Sequence, residues 1–215
     1  MWLNYPHMPT GTDVSLATFD RLIGWAKERD ILLVNDNPYS FVLTEKPQSL
    51  LSRPGAKDVA VELNSLSKSF NMAGWRVGML SGKADVLQQT LKVKSNMDSG
   101  VIFKAAIAPC CTPKNIPESI LLLTLSVYKK RSALMRVLAQ KLGASVVSNS
   151  VGLFLWAKLP EDAPDAETFI NTVLHQNNIF ITPGIIFGSQ GEGYIRFSLC
   201  VPEATIEEAI KRIEL

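Results

Sequence analysis

The sequence has few of the residues that would indicate a metal site or a nucleic-acid partner. It contains two histidines, His7 and His175, and three cysteines, Cys110, Cys111 and Cys200, none at metal-ligand spacing. An odd number of cysteines predicts free thiols in a reducing compartment, which favours the cytoplasm. The 22 Lys and Arg residues nearly balance the 20 Asp and Glu residues, so the net charge of +2 indicates neither a nucleic-acid nor a membrane partner.

Long hydrophobic runs are also missing. No apolar run reaches the length of a bilayer span, and residues 1–4 lack the basic start and apolar core of a signal peptide. There is no internal repeat and no low-complexity segment. A chain of 215 residues with 47% hydrophobic and 20% charged residues is typical of a globular protein with a sizeable core.

One stretch combines a buried strand with a lysine among small hydroxyl residues. The apolar run at residues 59–63 predicts a strand, and Lys68 follows it on a predicted loop. Partial desolvation there favours the neutral amine, a nucleophile toward a carbonyl. Ser65, Ser67 and Arg76 add the hydroxyls and the planar cation that hold a phosphate, as pyridoxal phosphate (PLP) requires. Taken alone, this stretch is explained better by an ordinary solvated loop lysine than by a cofactor site.

A second polar group follows the preceding strand. Residues 31–34 predict a short apolar strand, and Asp36 and Tyr39 come directly after it. Catalytic groups of open α/β sheets gather at the carboxyl ends of strands, which favours a functional role for both residues. An ordinary Asx-Pro turn is the structural alternative.

The remaining pattern predicts two domains, 1–134 and 135–215. The first has an amphipathic helix at residues 15–29, strands on either side of Lys68, a surface loop at 41–58 and a helix at 84–94, as in a mostly parallel α/β sheet. A long helix at 118–142 leads into a strand, helix, strand, strand, helix order, typical of a small α+β domain.

Arg196 stands in the otherwise apolar strand predicted at residues 194–199. An unpaired guanidinium there would be costly. Its partner is therefore either a carboxylate of the protein, as a structural salt bridge, or a carboxylate of a substrate.

Several of these segments together resemble the class I/II aminotransferases, which are fold type I PLP enzymes. The lysine stretch reads S-L-S-K-S-F-N-M-A-G-W-R-V-G, with Arg76 eight positions after Lys68. The segment D-N-P-Y at Asp36 resembles the family's D-x-x-Y motif, 32 positions before Lys68. The segment P-G-I-I-F-G, followed by R-F-S at Arg196, resembles the family's P-G-x-x-F-G…R-F-S pattern.

The resemblance implies a role for each matched residue. Lys68 would form the Schiff base with PLP and move a proton at the substrate's α carbon. Asp36 would pair with the pyridinium nitrogen, and Tyr39 would donate to the phenolic oxygen. The phosphate would be held by Ser65, Ser67 and Arg76, and Arg196 would clamp the substrate's α-carboxylate. The predicted site thus consists of Asp36, Tyr39, Ser65, Ser67, Lys68, Arg76 and Arg196.

Two features depart from the family pattern. The segment N-Y-P-H-M-P-T-G at Asn4–Gly11 carries Met8 where the family has an asparagine that donates to the phenolic oxygen, and a thioether cannot donate. The same segment lies in the middle of family sequences, so the resemblance covers the C-terminal half or so of the family pattern. The first domain is therefore expected to be the C-terminal part of the large PLP domain.

The sequence therefore predicts a PLP-dependent aminotransferase, acting by a ping-pong Schiff-base route between an amino acid and a 2-oxo acid, as a homodimer. Two alternatives stay open. One is another fold type I reaction, such as a C–S lyase or a synthase, which shares Lys68, Asp36, Tyr39 and Arg76. The other is a non-catalytic remnant that binds no PLP, for which Met8 and the half-length match are the reasons.

Overall fold

The computed structural model describes residues 1–98 and 118–213, and the side chains of residues 118–123 are not part of that description. Cys110 and Cys111 lie outside the described residues, and Cys200 is an exposed free thiol. None of the described helices has both the length and the apolar character that crossing a membrane requires. The described residues also hold no group of three or more His, Cys, Asp or Glu side chains that could bind a metal ion.

Two compact units make up the fold. The first consists of Met1–Pro6 and Asp13–Thr124, and the second of His7–Thr12 and Leu125–Leu215. The division after Thr124 and the predicted boundary after residue 134 both fall inside one helix, Glu118–Lys141. The boundary at 134/135 stays a prediction.

The first unit is built on a four-stranded sheet. Its strands and helices, in chain order, are β1 (Trp2–Leu3), α1 (Leu16–Glu28), β2 (Leu33–Asp36), α2 (Ala56–Val59), β3 (Ala60–Ser65), α3 (Leu66–Ser69), β4 (Gly78–Gly82) and α4 (Ala84–Met97). The strand order is β1-β2-β3-β4, with the first three parallel and β4 antiparallel to β3. Parallel pairing brings the carboxyl ends of β1, β2 and β3 to the same edge of the sheet.

Helix α1 follows its amphipathic sequence. Ser15 caps it by accepting a hydrogen bond from the Thr18 amide, as its residue type predicts. Phe19, Ile23 and Ala26 recur at helical spacing, are buried and join Leu33 in the core of the unit. The predicted amphipathic helix is confirmed, although Leu16, an apolar residue of the same face, is exposed.

The segment predicted as a surface loop at residues 41–58 is partly structured, so that prediction is wrong. It contains a 3-10 turn at Leu50–Ser52 and begins helix α2, and Val42, Leu50 and Ala56 are buried. Its prolines and charges stand between these apolar residues. Local breaker residues indicated a loop, but burial of single apolar side chains depends on the tertiary fold.

The second unit holds an antiparallel sheet. Its elements are the helix α5 (Glu118–Lys141, which begins in the first unit), β5 (Ser145–Val146), β6 (Phe154–Lys158), α6 (Ala166–Asn177), β7 (Thr182–Pro183), β8 (Tyr194–Ser198) and α7 (Glu203–Arg212). The strand order is β5-β6-β8-β7, and every neighbouring pair is antiparallel. The strand predicted at residues 179–182 is reduced to β7, because pairing with β8 begins only at Thr182.

Alternation along β6 and β8 separates a core face from a polar and aromatic face. Leu155, Ala157, Ile195 and Phe197 are buried on one face. Arg196 lies on the opposite face, as its position between Ile195 and Phe197 predicts. Together the two units confirm the predicted class, a mostly parallel α/β sheet with helices followed by a small α+β domain.

Candidate functional site

Lys68 lies on a single helical turn at the carboxyl end of β3, where the sequence predicted a loop. The turn α3 forms because Ser65 is its N-cap and its hydroxyl oxygen accepts a hydrogen bond from the Ser67 amide at 3.1 Å. Lys68 and both serines are half-buried. The lysine therefore starts from a fixed backbone rather than from a mobile loop.

Asp36 is the last residue of β2, where the sequence predicted that it follows the strand. Its carbonyl oxygen accepts a hydrogen bond from the Asn4 side-chain amide at 2.8 Å, which ties it to the segment after β1. The Asp36 side chain is exposed, yet partial burial raises the pKa of its carboxyl above the usual range. A bound cation at this carboxylate would offset that effect.

The segment after Asp36 is attached to the β3 and lysine segments. The Asn37 amide donates to the Leu63 carbonyl at 2.8 Å, and the Asn64 side-chain amide donates to the Asn37 carbonyl at 2.8 Å. The Ser69 hydroxyl donates to the Pro38 carbonyl at 3.4 Å. These bonds bring the Asp36 strand end beside the lysine turn. Tyr39, three residues further on, is buried with 9% of its surface exposed.

Arg76 closes a tight turn between α3 and β4. The turn contains a 3-10 helix at Ala73–Trp75, and Arg76 has a left-handed φ of 52°. Its Nη1 donates to the Ala73 carbonyl at 3.1 Å, and the residue is exposed. The Leu66 amide donates to the Val77 carbonyl at 3.1 Å, so the Arg76 segment lies against the start of the lysine turn.

Six of the seven predicted site residues belong to the first unit, where the segments after β2, after β3 and before β4 are hydrogen-bonded to one another: Asp36, Tyr39, Ser65, Ser67, Lys68 and Arg76. Their chemistry fits PLP, since the set offers an amine, a carboxylate, a phenol, two hydroxyls and a guanidinium. The seventh residue, Arg196, belongs to the second unit.

A buried carboxylate on β3, that of Glu62, was not predicted from the sequence. Glu62 pairs with Asn35, the residue before Asp36 in β2. Glu62 of β3 is 3% exposed, and its carboxylate accepts hydrogen bonds from the Asn35 side-chain amide at 3.0 Å, the Ser49 hydroxyl at 2.9 Å and the Leu50 amide at 2.9 Å. Asn35 in turn accepts from the Tyr5 amide at 3.2 Å. The available signal was a charged residue inside the apolar run at 59–63, because a buried charge needs partners.

Arg196 lies on β8 with its guanidinium carbon 4.3 Å from the Phe154 ring centre and 4.6 Å from the Phe187 ring centre. Its Nη1 contacts the Met8 sulfur at 3.5 Å, a distance compatible with a weak hydrogen bond to the thioether. Neither the aromatic rings nor Met8 was predicted to contact Arg196.

Met8 is presented by a compact turn within the second unit. The Gly11 amide donates to the His7 carbonyl, and the His7 amide donates to the Thr12 carbonyl, each at 2.8 Å. The Val151 amide donates to the Gly11 carbonyl at 2.9 Å, and a side chain at Gly11 would meet the Val151 carbonyl. The turn expected from Pro9, Thr10 and Gly11 is thus present despite the methionine.

Known proteins similar to this chain match it along nearly its whole length. The family model for aminotransferase class I and II matches residues 1–213. The LL-diaminopimelate aminotransferase of Aquifex aeolicus is 40% identical over 216 residues, covering 100% of this chain and 55% of that protein. The corresponding enzyme of Gloeobacter violaceus is 37% identical, with the same coverage.

A similar solved structure is that of the probable N-succinyldiaminopimelate aminotransferase from Thermus thermophilus. It has a TM-score of 0.85 and 32% identity, covering 99% of this chain and 57% of that one. The chain thus spans about half the length of the relatives it matches. The fold predicted from the lysine motif is confirmed, and the chain belongs to the class I and II aminotransferases, a family of PLP-dependent enzymes.

Proposed function

We propose that this chain carries the lysine side of the active site of a PLP-dependent aminotransferase, which moves an amino group between an amino acid and a 2-oxo acid by a ping-pong route. The observation that carries the proposal is the attachment of the Asp36 strand end to the lysine turn, through Asn37, Asn64 and Ser69. These bonds hold the two backbone segments side by side, and the resemblance to the family gives the Lys68 amine and the Asp36 carboxylate roles at one cofactor.

Each residue of the lysine group has a distinct task. Lys68 would supply the amine that holds the cofactor and would move a proton at the substrate's α carbon. Asp36 would pair with a protonated ring nitrogen, which would lower the cost of its own partial burial. Tyr39 would donate to the phenolic oxygen. Bound PLP supplies a protonated ring that withdraws electrons from the reacting carbon.

The phosphate group would be held by Ser65, Ser67 and Arg76. The two hydroxyls lie on the capped turn with Lys68, so they share its fixed backbone. Arg76 makes a single hydrogen bond to a main-chain carbonyl among the described residues, and its exposed fork retains donors for phosphate oxygens.

The substrate carboxylate would be held by Arg196, whose fork matches a carboxylate bidentately. The names of the relatives make LL-diaminopimelate the first amino donor to test. A homodimer is the expected assembly, following the resemblance to the family.

The first experiment is titration of the purified protein with PLP, followed by borohydride reduction and peptide mass mapping. We expect a pyridoxyl adduct on Lys68 that Lys68→Ala abolishes. Lys92, an exposed lysine of α4, is the control for non-specific modification. Adducts spread equally over Lys68 and Lys92, in protein with a folded circular dichroism spectrum, would support the non-catalytic alternative.

A product assay with LL-diaminopimelate and a panel of 2-oxo acids separates the reaction classes. Formation of the matching amino acid from each accepted 2-oxo acid supports transamination. Release of pyruvate or ammonia without amino transfer would overturn it in favour of another fold type I reaction.

A further inference from the structure

The guanidinium of Arg196 lies against two aromatic rings in the second unit. Its central carbon is 4.3 Å from the centre of the Phe154 ring and 4.6 Å from the centre of the Phe187 ring. Both distances are well inside the range of about 6 Å at which a cation interacts favourably with an aromatic face. Two rings at these distances hold one cation more firmly than a single ring does.

The two rings reach Arg196 from different elements. Phe154 belongs to β6, which pairs with β8 so that Trp156 lies opposite Arg196 and Phe154 opposite Ser198. Alternation therefore places Phe154 and Arg196 on the same face of the sheet. Phe187 ends the 3-10 turn Gly184–Phe187. One ring is thus fixed by strand pairing and the other by the packing of a turn.

The turn that carries Phe187 is itself locked in place. The rings of Phe187 and Trp156 meet edge to face at 5.9 Å, and Trp156 stacks on Tyr194 at 5.3 Å with an interplanar angle of 14°. Gly184 is buried so closely against Gly191 and Trp156 that a side chain would collide with both. Phe187 therefore has little freedom to leave Arg196.

Met8 contacts Arg196 as well, with its sulfur 3.5 Å from Nη1. A thioether is a weak acceptor and competes poorly with a carboxylate oxygen for a guanidinium N–H group. A methionine at this position therefore accepts from Nη1 more weakly than an amide oxygen would.

We propose that Met8, Phe154 and Phe187 are the positioning residues of Arg196 and form an arginine cage. The two rings and the sulfur atom hold the guanidinium of Arg196 in one orientation. In that orientation its N–H groups can donate to a planar carboxylate. We expect Arg196→Lys to lose this arrangement, because a compact ammonium neither stacks between rings nor presents a fork. The identity of the carboxylate as a substrate's rests on the proposed function; the cage itself does not.

The cage is tested first without cofactor, by the Nε–H signal of Arg196 in ¹H–¹⁵N spectra, assigned by its loss in Arg196→Lys. Nε is buried, which slows exchange of its proton with water. Ring currents of two phenyl groups should displace this signal. Phe154→Leu and Phe187→Leu should each reduce that displacement, whereas Phe154→Tyr should preserve it. Trp2→Leu, which removes a 73% exposed ring of the first unit, should leave the signal unchanged.

The same signal reports carboxylate binding. Sodium acetate at constant ionic strength should shift it in the wild type, and the two leucine variants should need about fivefold more acetate for the same shift, since a cation–π contact contributes about 1 kcal/mol. Met8→Leu, which keeps size and removes the acceptor, should give a smaller change in the same direction.

In the active enzyme, the leucine variants should raise the KM for the amino acid and the 2-oxo acid about fivefold while changing kcat little, as expected for lost binding shared by ground and transition states. Folded leucine variants with wild-type Nε–H positions and unchanged acetate titrations would overturn the cage. A displaced signal and acetate binding, in a protein that transaminates no substrate, would leave the cage standing and overturn the proposed function.

Discussion

The two units hold their candidate functional groups by different means. In the first unit, the strand ends around Asp36 and Lys68 are joined by hydrogen bonds from polar side chains, including those of Asn4, Asn64 and Ser69. In the second, Arg196 is held by the faces of Phe154 and Phe187. The first arrangement is directional and depends on every donor finding its acceptor; the second depends on packing.

The difference suits the chemistry proposed for each group. The hydrogen bonds of the first unit act on the backbone, which leaves the side chains of Asp36 and Arg76 exposed and available for a ligand. The packing of the second unit acts on the functional side chain itself, whose Nε is buried. Asp36 and Arg76 are thus oriented through the backbone around them, whereas Arg196 is held through its own side chain.

The largest effect is expected from breaking the polar network of the first unit at Glu62. Glu62→Leu leaves the Asn35 amide, the Ser49 hydroxyl and the Leu50 amide without their acceptor in a buried place. We expect the free energy of unfolding of this unit to fall by about 3 kcal/mol, because buried donors without acceptors are costly. Urea denaturation in a Trp156→Phe background measures it, since Trp2, Trp25 and Trp75 then report only on the first unit.

Glu62→Gln is the matched control for that experiment. Its amide oxygen can still accept from Asn35 and Leu50, so the loss should stay near 1 kcal/mol, the net value of about one hydrogen bond. Equal losses in the two variants would show that charge, rather than the acceptor pattern, is what the network requires.

The packing of the second unit is broken by Gly184→Ala. The new methyl group would meet Gly191, Trp156 and Tyr194. Overpacking of this kind costs about 2 kcal/mol, and the turn carrying Phe187 must shift to relieve it. With Trp2, Trp25 and Trp75 replaced by phenylalanine, the fluorescence of Trp156 follows unfolding of this unit alone. Unchanged stability together with an unmoved Arg196 Nε–H signal would mean that the turn is not locked by close packing.

Gly24→Ala is expected to stabilise the first unit, whereas the preceding substitutions are expected to destabilise the protein. Gly24 lies within α1, is exposed, and a Cβ there would meet no atom within 4 Å. We expect the first unit to gain about 0.5–1 kcal/mol, because alanine loses less conformational entropy in a helix than glycine does. The same Trp156→Phe background reports the gain. A loss of stability would reveal a contact of this helix surface with another part of the protein.

The smallest effect concerns pH and Asp36. Burial raises the pKa of its carboxyl above the ordinary value of 3.8, so the folded unit binds the proton more tightly than the unfolded chain. Its contribution to stability is therefore present below pH 3.8 and is lost as the pH rises through the folded pKa. Asp36→Asn should accordingly be slightly more stable than the wild type at pH 7, with no such advantage below pH 3.8.

Thermal unfolding of both proteins across this pH range measures that difference. Glu45→Gln, at an exposed carboxylate of the same unit, controls for the loss of one negative charge. A stability advantage that is equal at every pH would contradict a raised pKa for Asp36.

Local sequence predicted the elements well where a single period was repeated long enough. Helix α1 and its cap at Ser15, the strand carrying Arg196, and the face on which Arg196 lies all follow from spacing. Short segments were less predictable. The lysine turn α3 and the buried residues of the 41–58 segment depend on one cap and on single buried side chains, which leave little trace in a pattern.

The sequence by itself determined the family, the chemical inventory of the lysine group and the alternation that separates Arg196 from the core, because each is carried by residue identity and spacing along the chain. Only the tertiary structure decided that Glu62, in the strand next to β2, accepts three hydrogen bonds. The same is true of the contacts that Met8, Phe154 and Phe187 make with Arg196. Met8 is 188 positions from Arg196 in the sequence. No local period links residues so far apart; strand pairing and turn packing bring them together.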